Sequence, residues 1–302
     1  MIYLRQFTLS HDGNENTAYA DFRRTCINSA YPFGLFPQKG LYDLSFGDIT
    51  IFCGSNGSGK STLLNVIAER LELSRSTPFN STFYFKPFAQ GCDCDLVCTT
   101  PEELRDFRRR SRIITSDDVF DHIIAVRKKN DDLDFKRQLI FDQKHLFHKF
   151  GVNEEDKIKQ IDFEDPDSVR RFRENSDLRR RNTSASQYVR MHVGIDERTY
   201  SNGENGYMFF SEAIQPGGLY LLDEPENSLS CDLQLELQKL LLGMARYYDC
   251  QIIMSTHSPF LLATPGARIY DMDSYPVSQK RWTDIPSVRT YHDFFKEHED
   301  EF

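Results

Sequence analysis

The chain has 302 residues, 39% of them hydrophobic and 13% aromatic, enough for the core of one large domain or of a domain with a sizeable insertion. Its formal net charge of −9 argues against a protein that is covered by nucleic acid. No apolar run reaches about 18 residues, and the first residues turn polar too soon for a secretory signal, so we expect a cytoplasmic protein without a membrane partner. The seven cysteines are expected to be reduced thiols, because an odd number does not suggest a disulfide framework.

The first part of the chain predicts a strand, a glycine turn and a helix. Residues 2–9 alternate and predict an opening strand, and residues 49–52, a β-branched and aromatic run, predict a buried parallel strand. A glycine-rich turn follows, and residues 61–73 place leucine and isoleucine at helical spacing. This order is the context that a phosphate-binding loop requires.

The turn itself reads Gly-Ser-Asn-Gly-Ser-Gly-Lys-Ser over residues 54–61 and satisfies G-x-x-x-x-G-K-[ST] in full. Its glycines let successive N–H groups point at phosphate oxygens, and the helix that follows adds its positive dipole end. Lys60 would supply a positive charge to the β- and γ-phosphates, and the Ser61 hydroxyl would ligate Mg²⁺. The alternative is a chance glycine turn, which the flanking strand and helix argue against. The residues expected to bind ATP are Asn56, Gly57, Ser58, Gly59, Lys60, Ser61 and Thr62.

The middle of the chain, about residues 74–200, gives weaker signals. Residues 83–85 suggest a short strand, residues 115–118 have the spacing of a capping box, and residues 133–150 and 168–181 have helical character. More than half of the 37 Lys and Arg residues lie between residues 101 and 192. Their clusters, such as residues 108–110 and 179–181, could contact DNA or RNA, or could form a solvated helical surface, because acidic residues are interleaved with them.

Beyond residue 200 the regular pattern returns. Residues 219–222 predict a buried strand, residues 231–247 a long amphipathic helix, and residues 251–255 another strand. Strands that alternate with helices predict a parallel α/β sheet.

The strand at 219–222 ends in two carboxylates, Asp223 and Glu224. The carboxyl edge of a parallel sheet is where ligands bind in open α/β folds, so both should lie beside the phosphate loop. Asp223 would hold Mg²⁺ through water, and Glu224 would orient and deprotonate the attacking water. The alternative is a pair of solvated acids at a strand end.

Three further segments carry a family resemblance. Residues 222–230, Leu-Asp-Glu-Pro-Glu-Asn-Ser-Leu-Ser, resemble the extended Walker B motif and D-loop of ATP-binding-cassette (ABC) ATPases, and residues 255–259 resemble their switch-histidine segment. Residues 201–204, Ser-Asn-Gly-Glu, resemble the signature motif in the form used by soluble SMC, RecF and OLD-like members. All these motifs occur in the order that the family has, and the group includes ATPases of DNA repair and antiviral defence.

The resemblance implies an α/β P-loop NTPase fold, an ABC-ATPase head with a mixed sheet and a helical insertion. Residues 1–75 and 200–302 would form the two halves of the head, and residues 76–199 the insertion or lid. The family further implies an ATP-dependent homodimer with two shared sites. His257 would contact the γ-phosphate from the same subunit as Lys60, although alone it could be a structural cap. The signature residues that would act on the other subunit's nucleotide are Ser201, Asn202, Gly203 and Glu204, of which Ser201 and Gly203 would cap the phosphate; read alone, they could be an ordinary loop.

Some family positions are less well matched. Ser230 stands where the D-loop commonly has aspartate, and Gln90 is the best candidate for the Q-loop glutamine that joins Ser61 and Asp223 at the metal. The adenine-stacking aromatic residue stays open among Tyr31, Phe33, Phe36 and Tyr42. Cys92, Cys94 and Cys98 lack an evident fourth ligand and are expected to be free thiols, not a zinc site.

The expected function is ATP hydrolysis that drives a conformational cycle in DNA or in a partner effector such as a nuclease or toxin. The nucleotide-binding subunit of a transporter is an alternative, which the absence of a Leu-Ser-Gly-Gly-Gln signature argues against. Another P-loop NTPase or kinase is a further alternative, and no Asn-Lys-x-Asp motif for guanine recognition is present.

Overall fold

A computed structural model describes residues 1–10, 29–98, 100–149 and 201–302, with side chains described outside residues 140–149. Nine strands and eight α-helices are described in these ranges. The strands are β1 (Leu4–Thr8), β2 (Asp43–Ser45), β3 (Ile49–Cys53), β4 (Asp93–Leu96), β5 (Arg112–Thr115), β6 (Leu219–Asp223), β7 (Gln251–Ser255), β8 (Arg268–Asp271) and β9 (Ser278–Gln279). The α-helices are α1 (Lys60–Leu71), α2 (Phe85–Gln90), α3 (Pro101–Arg110), α4 (Ser116–Lys149), α5 (Asn202–Ala213), α6 (Cys231–Tyr247), α7 (Pro259–Leu262) and α8 (Pro286–Glu297).

The larger of two sheets has six strands in the order β5-β6-β7-β3-β8-β9. Its first five strands are parallel, and β9 runs antiparallel to β8, so the sheet is mixed. Every residue of β3 and β7 is buried, which explains why both read as continuous runs without alternation. The expected parallel α/β architecture is confirmed, and the carboxyl ends of β3, β6 and β7 lie at one edge.

The second sheet is a three-stranded antiparallel unit, β2-β1-β4. Its strand β4 directly follows helix α2. The sequence predicted a strand at residues 83–85, where α2 begins. That prediction is wrong, because Phe85, Phe88 and Ala89 form the buried face of α2. Helical spacing of these side chains buries them in the core, and this packing overrides the strand preference of an aromatic run.

The chain divides into two compact units, one formed by Met1–His122 with Tyr200–Phe302 and the other by Ile123–Thr199. The second unit therefore begins later than the insertion expected at residue 76. Residues 76–122 belong with the head because β5 pairs in parallel with β6, inside the large sheet. Residues 133–149 of the helix predicted at 133–150 lie within α4, whereas residue 150 and the helix predicted at 168–181 lie outside the described residues. None of the helices in the described ranges is both long and apolar enough to cross a lipid bilayer.

A buried amide joins the two sheets. Gln251, at the start of β7, is fully buried. Its Oε1 accepts the N–H groups of Tyr3 and Leu4 at 2.9 and 2.8 Å, and its Nε2 donates to the carbonyls of Leu4 and Gly47 at 2.8 and 3.1 Å. One side chain therefore satisfies backbone groups that would otherwise be buried without partners.

Replacing Gln251 with Ala should lower the free energy of unfolding by about 2–4 kcal/mol, because buried donors and acceptors lose their partners. Urea denaturation measures this change. The matched control is Gln90→Ala, at an exposed position, for which we expect a change below about 0.5 kcal/mol. Equal effects of the two substitutions would show that the amide does not join the sheets.

Candidate nucleotide-binding site

The glycine turn lies between β3 and α1, at the carboxyl edge of the large sheet. Gly54 has φ +153°, and a Cβ there would lie 2.9 Å from Ser58 Oγ and 3.1 Å from Met272 Cβ. Gly59 has φ +93° and is the N-cap of α1. Both positions therefore require glycine, one for space and one for its left-handed backbone. The loop exposes Asn56 and Gly57, whereas Ser58 is buried with an Oγ that has no hydrogen-bond partner within the described part of the chain.

Lys60 is the first residue of α1, and its side chain turns back over the loop. Its Nζ donates to the carbonyls of Gly54 and Ser55 at 2.8 and 3.1 Å and lies 2.9 Å from His257 Nε2. Burial lowers the pKa of Lys60, and the carboxylates of Glu224 and Asp223 oppose that shift. The ammonium is therefore held at the mouth of the loop, where it can interact with a phosphate.

Asp223, at the end of β6, accepts hydrogen bonds from two hydroxyl groups. Its Oδ1 accepts from Ser61 Oγ at 2.9 Å and from Ser255 Oγ at 2.5 Å. Burial raises the pKa of Asp223, and the hydrogen bonds from Ser255 and Ser61 oppose the shift. A hydroxyl and a carboxylate at this spacing are hard oxygen ligands and fit Mg²⁺, which usually takes one or two protein ligands together with phosphate oxygens and water. Ser61 and Asp223 could therefore hold the metal.

Glu224 has a left-handed backbone, with φ 49° and ψ 56°, which is uncommon for a residue with a side chain. Its N–H is fixed by the carbonyl and the hydroxyl of Ser255, both at 3.1 Å. Its Oε2 accepts from Asn227 Nδ2 at 3.1 Å, and its Oε1 lies 3.4 Å from His257 Nε2. The carboxylate is thus oriented by its neighbours beside the imidazole, as a group that must accept a proton from a positioned water requires.

The structure therefore gathers most of the predicted residues in one place. Lys60 and Ser61 come from α1, Asp223 and Glu224 from the end of β6, and His257 from the loop after β7. Thr62, in the first turn of α1, lies with its hydroxyl 2.7 Å from the hydroxyl of Tyr31.

Tyr31 is the adenine-stacking candidate that the contacts bring closest to α1, through this bond to Thr62. Burial raises its pKa, and the Thr62 bond opposes the shift. Phe36 is fully buried in the core, so its ring cannot stack on a base. Phe33 packs edge-on against Phe88 with ring centroids 5.1 Å apart, whereas Tyr42 is exposed.

The predicted signature residues begin α5 with a complete capping box. Glu204 N–H donates to Ser201 Oγ at 3.3 Å, and Ser201 N–H donates to Glu204 Oε2 at 2.8 Å. The bond from the Ser201 N–H and a second one from Ser201 Oγ, 2.8 Å from Glu204 Oε2, lower the pKa of Glu204. A Cβ on Gly203 would lie 2.9 Å from Leu233 Cδ1 and 3.3 Å from the carbonyl of Ser228. Gly203 therefore packs against the segment after β6. Ser201, Asn202 and Glu204 are exposed, so the capped end of α5 lies at the surface.

Gln90 does not join the metal-site residues, contrary to the expectation. It is the exposed last residue of α2, and the strand expected before it does not form. The carbonyl of nearby Cys92 accepts from Arg70 Nε at 2.7 Å, near the end of α1. Ser61 lies nine residues before Arg70, roughly 13 Å along the helix axis. These contacts connect the end of α2 to the far end of α1 from Ser61, so they give no support to Gln90 as a ligand of the same metal.

One residue beside the site was missed by sequence reasoning. Asp273, just after β8, accepts from the N–H of Ser55 at 2.6 Å and from its hydroxyl at 2.8 Å, so it fixes the start of the glycine turn. No sequence motif indicates this contact; only the pairing of β8 with β3 brings Asp273 to this edge.

The cysteines and the first basic cluster lie elsewhere. Burial raises the pKa of the Cys92 thiol to about 12, and Cys94 and Cys98 are free thiols as well.

Arg108 is tied to the end of α1, since its Nε donates to the carbonyl of Leu71 at 3.1 Å and its NH1 lies 2.6 Å from Glu72 Oε2. Of that cluster, Arg109 and Arg110 are exposed, and the cluster at 179–181 lies outside the described residues.

Comparison with solved structures finds low-identity similarities over almost the whole chain. One is an inward-facing conformation of a putative metal-chelate type ABC transporter, at 14% identity and TM-score 0.40, covering 98% of this chain and 90% of that one. Another is the Smc head domain with an extended coiled coil bound to the C-terminal domain of ScpA derived from Pyrococcus furiosus, at 14% identity and TM-score 0.41, covering 99% and 100%. A third is cbiO1 from Clostridium perfringens, part of the ABC transporter complex cbiONQ, at 15% identity and TM-score 0.42, covering 98% and 94%.

Family models give a more direct assignment. The model described as "ABC transporter" matches residues 41–227, more than half of the chain. A model described as "AAA domain, putative AbiEii toxin, Type IV TA system" matches residues 207–263. No curated protein matches the chain. The chain therefore belongs to the family of ABC-type ATPases, and it is an ATP-hydrolysing enzyme with the α/β P-loop fold.

Proposed function

We propose that this ATPase belongs to the SMC/RecF/OLD-like group, dimerises on ATP and uses hydrolysis to control DNA or a partner effector. The observation that carries the proposal is the cluster of Lys60, Ser61, Asp223, Glu224 and His257 at one sheet edge. Hydrogen bonds and contacts of 2.9–3.4 Å connect Lys60 to His257, His257 to Glu224, and Ser61 to Asp223.

Each of these side chains has a distinct task in the proposed mechanism. Lys60 and the N–H groups of the glycine turn bind the β- and γ-phosphates. Ser61 and Asp223 hold Mg²⁺, which neutralises phosphate charge when bound. Glu224 orients a water molecule and accepts its proton at the carboxylate, while His257 contacts the γ-phosphate through its imidazole.

The start of α5 supports the shared-site part of the proposal. Its exposed N-terminus offers backbone N–H groups and the positive end of a 12-residue helix, which suit a phosphate. Ser201 and Gly203 of one subunit would cap the γ-phosphate held by Lys60 of the other. ATP then joins two heads, and hydrolysis at Glu224 lets them separate.

The output of the cycle is proposed to be a conformational change in DNA or in an effector. The Ser-Asn-Gly-Glu form of the signature favours the SMC/RecF/OLD-like group over transporter subunits, and the matching AAA model is described in terms of a toxin system. A nuclease or toxin partner in antiviral defence or DNA repair fits this group. Arg109 and Arg110 are exposed, with Arg109 in a surface ion pair with Asp106 at 3.2 Å, and both could contact the phosphates of a nucleic acid.

Lys60→Ala should weaken ATP binding by roughly 10-fold or more and abolish turnover, because the phosphates lose their buried positive charge. Nucleotide titration and phosphate release measure the two effects. Lys86→Ala, at an exposed lysine of α2, is the matched control and should change neither. Normal affinity and turnover in Lys60→Ala would refute the assignment of the loop.

Glu224→Gln should still bind ATP but hydrolyse it roughly 100-fold more slowly, because the water loses its proton acceptor. The trapped complex should run as a dimer in light scattering with ATP and as a monomer without it. Adding Ser201→Ala should shift the trapped protein back towards monomer, whereas the exposed control Glu236→Gln should leave turnover normal. A Glu224→Gln variant that stays monomeric in ATP would contradict shared sites.

The paired substitution Arg109→Ala and Arg110→Ala should weaken DNA binding and reduce its salt dependence. A variant that contacts fewer phosphates releases fewer counterions from the DNA when it binds. Fluorescence anisotropy on a DNA duplex at several salt concentrations measures this. Arg246→Ala, an exposed arginine of α6, is the control. An unchanged salt slope would show that this cluster is only a solvated surface.

A further inference from the structure

Glu226 makes a hydrogen bond that the proposed mechanism leaves unused. It lies in the 3-10 turn Pro225–Ser228 that follows β6, and its Oε1 accepts the backbone N–H of His257 at 2.6 Å. Hydrogen bonds to a carboxylate are shorter and stronger than those between neutral groups. The bond joins the loop after β6 to the loop after β7, at the residue that carries the imidazole.

Neighbouring residues of the loop after β7 are held by other groups. Thr256 N–H donates to the carbonyl of Phe52 at 3.1 Å, and Ser258 N–H donates to Thr256 Oγ1 at 3.0 Å. The backbone of His257, in contrast, is held by the side chain of Glu226. Thr256 contributes a side-chain hydrogen bond to the same carboxyl, so Glu226 is tied to this loop at two neighbouring residues.

We propose that Glu226 is a positioning residue for His257. Its carboxylate fixes the His257 backbone so that Nε2 lies 2.9 Å from Lys60 Nζ and 3.4 Å from Glu224 Oε1. Glu226 itself neither contacts the phosphate nor accepts the proton of the water. This inference rests on the proposed function, in which His257 contacts the γ-phosphate.

The surroundings of Glu226 argue against a role in stabilising the fold. Its Oε2 is buried and has no hydrogen-bond partner among the described residues. Burial raises the pKa of this carboxyl, and hydrogen bonds from the His257 N–H and from the side chain of Thr256 oppose the shift. An apolar side chain of similar length would avoid both penalties. The directed bond to His257 is what a carboxylate adds at this position.

Glu226→Met and Glu226→Gln separate positioning from packing. Methionine keeps the length of the side chain but accepts no hydrogen bond from His257, so kcat should fall roughly 10- to 100-fold through misplacement of the imidazole. The Kd for ATP should stay within about threefold and Tm should not fall, because phosphate binding and packing are intact. Glutamine retains a carbonyl acceptor and should restore most of the turnover. Glu236→Met, at an exposed glutamate of α6, is the matched control.

A double-mutant cycle with His257→Ala tests whether Glu226 affects kcat through His257. Once the imidazole is gone, Glu226→Met should lower kcat no further, since both substitutions remove the same interaction. The proposal is overturned if Glu226→Met lowers kcat by the same factor in both backgrounds. It is also overturned if Glu226→Gln is as slow as Glu226→Met, or if His257→Ala alone has normal turnover. Failure of the proposed function would appear separately, as normal ATP binding and turnover in Lys60→Ala.

Discussion

The site depends on one carboxylate oxygen that accepts two hydroxyl groups. Oδ1 of Asp223 receives Ser61 Oγ from the first turn of α1 and Ser255 Oγ from the end of β7. Asp223 itself ends β6, so this oxygen joins a helix and two neighbouring strands at the edge where the parallel strands finish. The backbone of Ser255 extends the same arrangement, since its carbonyl accepts the N–H of Glu224. Moving any of these elements would separate the groups that the chemistry requires.

Burial acts on Lys60 and Asp223 in opposite directions. It lowers the pKa of the ammonium and raises the pKa of the carboxyl, and in both cases nearby charges or hydrogen bonds oppose the shift. The neighbours therefore offset only part of the desolvation of each charged form. A bound nucleotide would bring negative charge to Lys60, and a divalent metal at Asp223 would bring positive charge to the carboxylate, so each ligand would relieve a desolvation penalty.

The parts of this site that follow one another along the chain could be predicted from the sequence. The glycine turn, Lys60 and Ser61 form a continuous motif between a strand and a helix, so local geometry defines them. Asp223 and Glu224 could be placed because a buried strand ends in them. Their nearness to the loop follows from the general rule that parallel strands end at one edge.

The parts that depend on tertiary pairing could not be predicted. Asp273 reaches the glycine turn only because β8 pairs with β3, and no motif surrounds it. The aromatic run at residues 83–85 favours a strand by local preference, whereas core packing begins α2 at Phe85 and places Gln90 at its end. The pairing of β5 with β6 is likewise not visible in the sequence, because β5 has only four residues and its partner lies more than 100 residues further along the chain.

Gly203 links two segments that the sequence shows as separate motifs. The space where its side chain would lie is taken up by Leu233 on one side and by the carbonyl of Ser228 on the other. The first turn of α5 therefore packs closely against the loop that follows Asp223 and Glu224 and against the start of α6. Any side chain at position 203 would push these segments apart, so the absence of a Cβ is what allows them to pack together.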